Sequence, residues 1–306
     1  MKNKNFTDYL NYITGLKNYS ENTISAYEKN LSFFENWIIK NELNVFEIKP
    51  NDLHIFVAEL SNEKLSPASI NQVLSTIRGF YNFATRFKLT KNNPAKQIKN
   101  IKLPEKLPNF LFNDEMIEFC KSPDGENNLW ASRDKAIFTS LYSTGCRISE
   151  LVNLNLKDFS SDYKFAIVLG KGKKERKVFF ADFAIKNLKE YLIERKALLD
   201  TMQNKKQAAV FLNQKGGRLT ARGVEYIIQR YIETNASYKK VSPHTFRHSF
   251  ATMLVSKGVD IRMVQELLGH SSISTTQKYT HVTSEQLQNL YHSSHPHGAT
   301  RQGDRE

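Results

Sequence analysis

Through the first hundred residues, apolar positions recur at intervals of three and four, the spacing of one face of a helix. From Asn18 to Lys40 they fall at Ile24, Tyr27, Leu31, Phe34 and Ile38, with Ser20 or Asn22 placed to cap. Asp52 to Leu60 reads as a short helix. Ser66-Pro67 opens a longer one, in which Ile70, Val73, Leu74, Ile77, Phe80, Tyr81 and Phe83 form an apolar stripe and are read as core. The periodicity stops between Lys88 and Lys106, where lysines at 88, 91, 96, 99, 102 and 106 are interrupted by Pro94 and Pro104, with Pro108 beyond. Prolines forbid a continuous helix there. This is the predicted domain boundary, an extended basic strap whose lysines could follow a phosphate backbone or merely solvate a linker.

Beyond Asn113 the pattern is again mainly helical, with one exception. In FAIVLGKGKKERKVFF the stretches Phe165 to Leu169 and Val178 to Phe180 flank a Gly-Lys-Gly turn, a hairpin signal. A helix from about Asp134 should end at Gly145, which tolerates the left-handed stop, and another begins within CRISEL. Arg147 sits at that junction. Ile148, Leu151 and Val152 face the core, and Glu150, one turn on, can brace Arg147 or a neighbouring base. SPHTFRHSFATMLVSKG reads as a helix capped by Ser242, with Pro243 in its first turn and Gly258 past its end. Phe246, Phe250 and Met253 share one face, while His244 and Arg247 lie one turn apart on another. His248 is assigned a structural, core-side role. A further helix runs from Asp260 to a stop at Gly269, His270 follows, and Ser274 can cap a short helix presenting Tyr279. Leu287, Leu290 and Tyr291 recur at helical spacing, and the tail ATRQGDRE looks frayed.

Composition narrows the partner. With 306 residues there is room for two domains, and 44 Lys+Arg against 31 Asp+Glu give +13 and a pI near 9.5. Residues 1–102 hold 14 basic and 9 acidic side chains, so both halves are basic. A polyanion, nucleic acid first, is the expected partner. Only Cys120 and Cys146 occur, without metal-type pairing, which fits a reducing compartment and implies neither a metal nor a cofactor. Cys146, despite its place beside Arg147, reads as a small packing residue. No signal peptide and no run of about 18 apolar residues is present, so no membrane is involved and a cytoplasmic protein is expected.

Arg147, Lys171, His244, Arg247, His270 and Tyr279 supply two guanidiniums, an ammonium, two imidazoles and a phenol, a set able to attack a phosphodiester without metal. Each is weak evidence alone, since an arginine at a helix turn or an HxxR on an exposed face is ordinary surface. The compound order is not ordinary: RxSEL, then HxxR, then a glycine-stopped helix, His270, and Tyr279 nine residues later. A phenol near pKa 10 is mostly neutral at pH 7, so clustered cations must favour phenolate as it attacks.

With these motifs the chain resembles the tyrosine recombinases, most closely the Xer type. TGCRISEL looks like the family's first conserved box, and HTFRHSFAT with LLGHSSISTTQKYTH like its second. SENTISAYEKNL and SPASINQVLSTIRGFYNFATRFKLTKNNPA resemble the core-binding helices, so the likeness spans nearly the whole chain. The resemblance implies a mainly α protein of two domains forming a C-shaped clamp on DNA. Residues 1–102 would be a helical, SAM-like core-binding domain, 103–112 a basic linker, 113–298 an α+β catalytic domain with a small hairpin and a partner-docking C-terminal segment, and 299–306 a flexible tail. It also implies Tyr279 as nucleophile, Arg147 and Arg247 as phosphate clamps, His244 and His270 as partners of the nonbridging oxygens, Lys171 as general acid, and Glu150 in support. Lys171 is chosen over Lys173, Lys174 and Lys177 by the likeness alone, because charge does not select among them. The acceptor of the Tyr279 proton stays open between His244 and solvent or substrate.

The implied activity is cutting and rejoining of double-stranded DNA at a dif-like site through a 3′-phosphotyrosine and a Holliday junction, resolving chromosome dimers during division. Four protomers would act, with a second Xer recombinase and the FtsK translocase as partners. GHSSISTTQ and LYHSSHPHGA look more like the XerC than the XerD branch. Two rivals stand beside this reading: a type IB topoisomerase, which reseals the original strand, and an architectural DNA-binding protein with an idle catalytic set. An integron or phage integrase is disfavoured because no additional N-terminal arm-binding domain is seen.

Overall fold

A computed structural model of the chain describes residues 3–15, 19, 21–104, 111–124, 130–170, 174–202, 206–234 and 241–269. It divides into two compact units, with the break between Lys106 and Leu107.

The N-terminal unit contains α1 (Lys4–Gly15), α2 (Glu21–Lys40), α3 (Pro50–Asn62) and α4 (Pro67–Arg86), followed by a 3-10 turn at Pro94–Lys96. The start of α4 is the one its sequence predicts: Ser66 Oγ accepts the Ser69 N–H at 3.2 Å, and Pro67 follows at the first helical position. α3 is longer than expected because Pro50, preorganised for a first turn, opens it two residues earlier, with Asp52 accepting the Lys49 N–H at 2.8 Å. All seven stripe residues of α4 are buried. They meet Phe6, Phe34 and Phe56, and the Phe6 and Phe80 rings stand edge to face with centroids 4.7 Å apart. Each such buried phenylalanine stabilises the unit by about 1.5–3 kcal/mol.

The strap after α4 is less extended than its prolines suggest. Arg78 donates to Ala95 O and Ile98 O at 3.0 and 2.6 Å, and Asn71 exchanges two bonds with Ile101. Ala95 and Ile98 are buried. The segment is thus docked on α4 as far as Ile101, because two apolar side chains hidden among its lysines and polar groups on α4 satisfy its backbone.

The C-terminal unit runs α5 (Asn113–Lys121), α6 (Ala131–Thr144), α7 (Ile148–Asn153), β1 (Phe165–Leu169), β2 (Glu175–Phe179), α8 (Asp182–Thr201), α9 (Ala221–Thr234), α10 (Pro243–Ser256) and α11 (Ile261–Leu268). The strands form an antiparallel pair with Phe165 opposite Phe179 and Leu169 opposite Glu175. α6 lies at the centre and packs on α8 and α10. Apart from Lys135 it is buried from Arg133 to Thr144, and two of its hydroxyls turn back on the backbone: Thr139 donates to Lys135 O at 2.8 Å and Thr144 to Ser140 O at 2.7 Å. Phe250, Met253 and Leu254 of α10 join Val264, Leu267 and Leu268 of α11 and Phe179 of β2 in one apolar cluster. That cluster sets the last turn of α11 beside the hairpin and beside the α6–α7 junction.

Candidate active site

Two left-handed glycines shape the site. Gly145, at φ 58° and ψ 15°, ends α6, and a Cβ there would come within 2.3 Å of the Phe250 ring. Gly269, at φ 64° and ψ 50°, ends α11, and a Cβ there would lie 2.9 Å from Cδ of Arg176. Any side chain would both strain the backbone and displace what it faces.

Arg147 is the residue before α7, with extended backbone at φ −72° and ψ 148°. Its N–H donates to Glu150 Oε2 at 2.7 Å and its Nη1 to Glu150 Oε1 at 2.8 Å, so one carboxylate orients both backbone and side chain. The side chain is 35% exposed, and among the described residues its Nε and Nη2 have no protein acceptor. These donors are available to an anion.

Arg247, on α10, reaches across the junction. Its Nη1 donates to Gly145 O at 2.8 Å and its Nη2 to Leu268 O at 2.7 Å. The guanidinium therefore bridges the carbonyl ends of α6 and α11, where a cation is favoured. Burial, and then the neighbouring Arg147 and Arg176, pull its pKa down to about 10. It remains charged at neutral pH, and an arriving anion relieves part of that desolvation and repulsion.

Arg176, on β2, was not singled out by the sequence reading. It grips Glu150 with both terminal nitrogens, Nη1 to Oε1 and Nη2 to Oε2, each at 2.8 Å, and its Nε donates to Leu267 O at 3.3 Å. The sequence signals are slight: its place in β2, one residue after the strand begins, and its being the one arginine among the five basic residues of GKGKKERK. Glu150 is buried, which alone would raise its pKa. Hydrogen bonds from Arg176 and from the Arg147 backbone outweigh burial and hold it below the ordinary carboxylate range. Three guanidiniums facing one carboxylate leave a surplus of positive charge, the electrostatics a phosphate diester requires.

His244 is exposed in the first turn of α10, one turn before Arg247. His248 is also exposed, so its core-side assignment is corrected: at four residues from His244 it shares that residue's open face, whereas Phe246, Phe250 and Met253 take the buried one. Cys146 is buried, and burial pushes its thiol up to about 11, in keeping with a packing role. Lys171, His270 and Tyr279 lie outside the described residues, although Gly170 and Gly269, which precede the first two in sequence, border the Arg176–Glu150 pair and Arg176 respectively. Among the described residues no group of three or more His, Cys, Asp or Glu is placed to hold a metal, and no helix is long and apolar enough to cross a membrane.

Comparison with known proteins gives a consistent result. Residues 110–286 match the phage integrase family, and residues 6–88 match the phage integrase N-terminal SAM-like domain. The chain is 52% identical over 303 residues to the tyrosine recombinase XerC of Treponema denticola, covering 96% of this chain and 99% of that one. It is 40% identical over 299 residues to the XerC of Leptospira interrogans, covering 96% and 94%. Among solved structures it is similar to the XerH site-specific recombinase bound to a palindromic difH substrate in a post-cleavage complex, with a TM-score of 0.70 and 27% identity over 89% of this chain and 84% of that one.

Proposed function

Because this chain belongs to the phage integrase family and is a tyrosine recombinase, an enzyme that breaks and rejoins DNA, we propose that Arg147 and Arg247 clamp the scissile phosphate and that Tyr279 attacks it. The observation that carries this reading is the held pair of guanidiniums: Arg147 by Glu150, and Arg247 by the carbonyls of Gly145 and Leu268. Donors fixed before the substrate arrives need no reorganisation as charge accumulates on the nonbridging oxygens, and the loss of one such donor typically costs about 3–4 kcal/mol of barrier.

The reaction follows from these parts. The Tyr279 phenol gives up its proton to His244 or to solvent or substrate, and its oxygen forms a bond to phosphorus as the bond to the 5′-oxygen breaks. Lys171 protonates that leaving oxygen, a contribution of about 10²–10⁴ in rate. His244 and His270 donate to the nonbridging oxygens. The 3′-phosphotyrosine conserves the bond energy, so a 5′-hydroxyl from a second duplex reverses the step without ATP or cofactor. Exchange at a dif-like site, through a Holliday junction and by four protomers that include a second Xer recombinase, fits the XerC relatives and the difH-bound XerH. The setting is the cytoplasm at division, with FtsK as the motor partner and chromosome dimers as the substrate. Residues 1–102 form the core-binding domain, 103–112 the linker, 113–298 the catalytic domain and 299–306 the tail.

Trapping on a nicked dif-like duplex tests the assignment. The wild type should give a protein–DNA adduct at the 3′-phosphate on a denaturing gel, and Tyr279→Phe none. An equal adduct from Tyr279→Phe would refute the nucleophile, and absence of adduct from the wild type, with binding and partner recombinase confirmed, would favour an idle DNA-binding role.

A further inference from the structure

Resting on that reading of the site, we infer that Arg176 is a positioning residue for strand cleavage, acting through Glu150 to hold Arg147 in register with the end of α11. Its guanidinium spends all three nitrogens on the protein. Two go to the two oxygens of Glu150 at 2.8 Å and the third to Leu267 O at 3.3 Å. Its side chain is 14% exposed against 35% for Arg147. Arg176 therefore holds another residue, whereas Arg147, with a single side-chain bond to Glu150, keeps donors turned outward.

The tie joins three segments that are distant in sequence. Glu150 and Arg147 belong to the α6–α7 junction, Arg176 to β2, and Leu267 to the last turn of α11. The next carbonyl along, Leu268 O, is the one that Arg247 grips at 2.7 Å. Arg176 and Arg247 thus take successive carbonyls of the same helix end, and through them the two phosphate clamps share a support. The absence of a Cβ at Gly269 belongs to this arrangement, because the Arg176 stem occupies the space a side chain would need.

Only a planar fork makes this tie. Lysine keeps the charge but cannot span both carboxylate oxygens in parallel. Without the fork, Glu150 keeps its bonds to Arg147 and loses its orientation relative to α11. A misplacement of about 1 Å at a clamp is enough for roughly a 10²-fold loss of rate.

Single-turnover cleavage of the nicked dif-like duplex by Arg176→Met, Arg176→Lys, Glu150→Gln and the Glu150→Gln/Arg176→Met double variant tests the inference. Arg176→Met is expected to cleave about 10²-fold more slowly than wild type, with its duplex Kd changed by no more than about 3-fold. Arg176→Lys, the milder variant should the first fold poorly, is expected to lose about 10-fold with little change in Tm. The double variant should be no slower than Glu150→Gln alone beyond about 3-fold, because both changes remove one connection. Wild-type rates in Arg176→Lys, a further full loss in the double variant, or a Kd that weakens in step with the rate would overturn the inference. A second measurement needs no DNA. Hydrogen exchange in Arg176→Met should quicken at residues 147–151 and 264–269 while α8 exchanges as in wild type, and unchanged exchange at both removes the tie even if the catalytic reading has itself failed.

Discussion

Asp134 and Glu150 are both buried carboxylates of the C-terminal unit, each ion-paired to two arginines. Asp134 accepts from Arg133 at 2.8 and 2.9 Å, from Arg230 at 2.7 Å and from the Tyr231 hydroxyl at 3.2 Å. Arg133 has a side chain only 5% exposed, lies over the Trp130 ring, and donates onward to Leu212 O. Burial raises the Asp134 pKa against the pull of Arg133 and Arg230, whereas at Glu150 the hydrogen bonds prevail over burial. The same three functional groups make a structural knot in one place and a site in the other. Each carboxylate holds one well-buried arginine, Arg133 or Arg176, and one partly exposed arginine, Arg230 or Arg147; the difference is a third guanidinium, Arg247, beside Glu150, which gives that place the larger surplus of positive charge.

The largest effect should come from breaking the knot. Asp134→Asn turns a donor NH2, in place of an acceptor oxygen, toward the donors of Arg133, Arg230 and Tyr231, and unfolding by urea should show a loss of about 3–5 kcal/mol. Cleavage per folded molecule should stay within about 2-fold of wild type, since removing a structural pair leaves donors at the site in place. A variant that folded well yet failed to cleave would erase the distinction between the two carboxylates. Arg247→Gln sharpens it from the other side, with cleavage expected to slow by about 10²–10³-fold and the urea midpoint to fall less than in Asp134→Asn. A fall in midpoint as large as that of Asp134→Asn would make Arg247 chiefly structural.

The smallest effect separates the two by sign. The Glu150 carboxyl is held below its unfolded value, so its stabilisation is present at neutral pH and is lost as pH falls through its folded pKa. The stability gap between wild type and Glu150→Gln, about 1–3 kcal/mol for a hydrogen-bonded charge, should therefore shrink on acidification. Asp134 is raised, so its folded form takes up a proton first, and the gap between wild type and Asp134→Asn should widen over the same titration. Urea midpoints measured across an acid series check both, and gaps moving in the same direction would contradict the comparison.

Much of this was legible in the chain. Ser66, Ser242 and Asp260 cap the helices that their sequence assigns to them, and Gly145 and Gly269 stop α6 and α11. These signals are readable because a cap or a left-handed stop is a local event, settled within four residues. Arg147, Glu150 and Arg247 were legible by motif, and the structure brings them together. Arg176 was not legible, because its partners lie 26 and 91 residues away and its neighbours in the hairpin are equally basic. Arg133 and Asp134 were illegible for the same reason. An adjacent Arg-Asp reads as surface, and only the packing of α6 against α8, α10 and Tyr231 takes it inside.

By itself, then, the sequence determined helix ends, the hairpin, the apolar stripe of α4 and the kinds of side chain that chemistry on phosphate needs. Each of these depends on neighbours within one or two turns or on the identity of the residue. Tertiary structure alone decided which carboxylate became a knot and which a support, which arginine holds and which faces outward, and that the carbonyl ends of α6 and α11 meet at Arg247. Those outcomes depend on burial and on donor counts around atoms far apart in the chain, and such quantities exist only once the chain has closed around them.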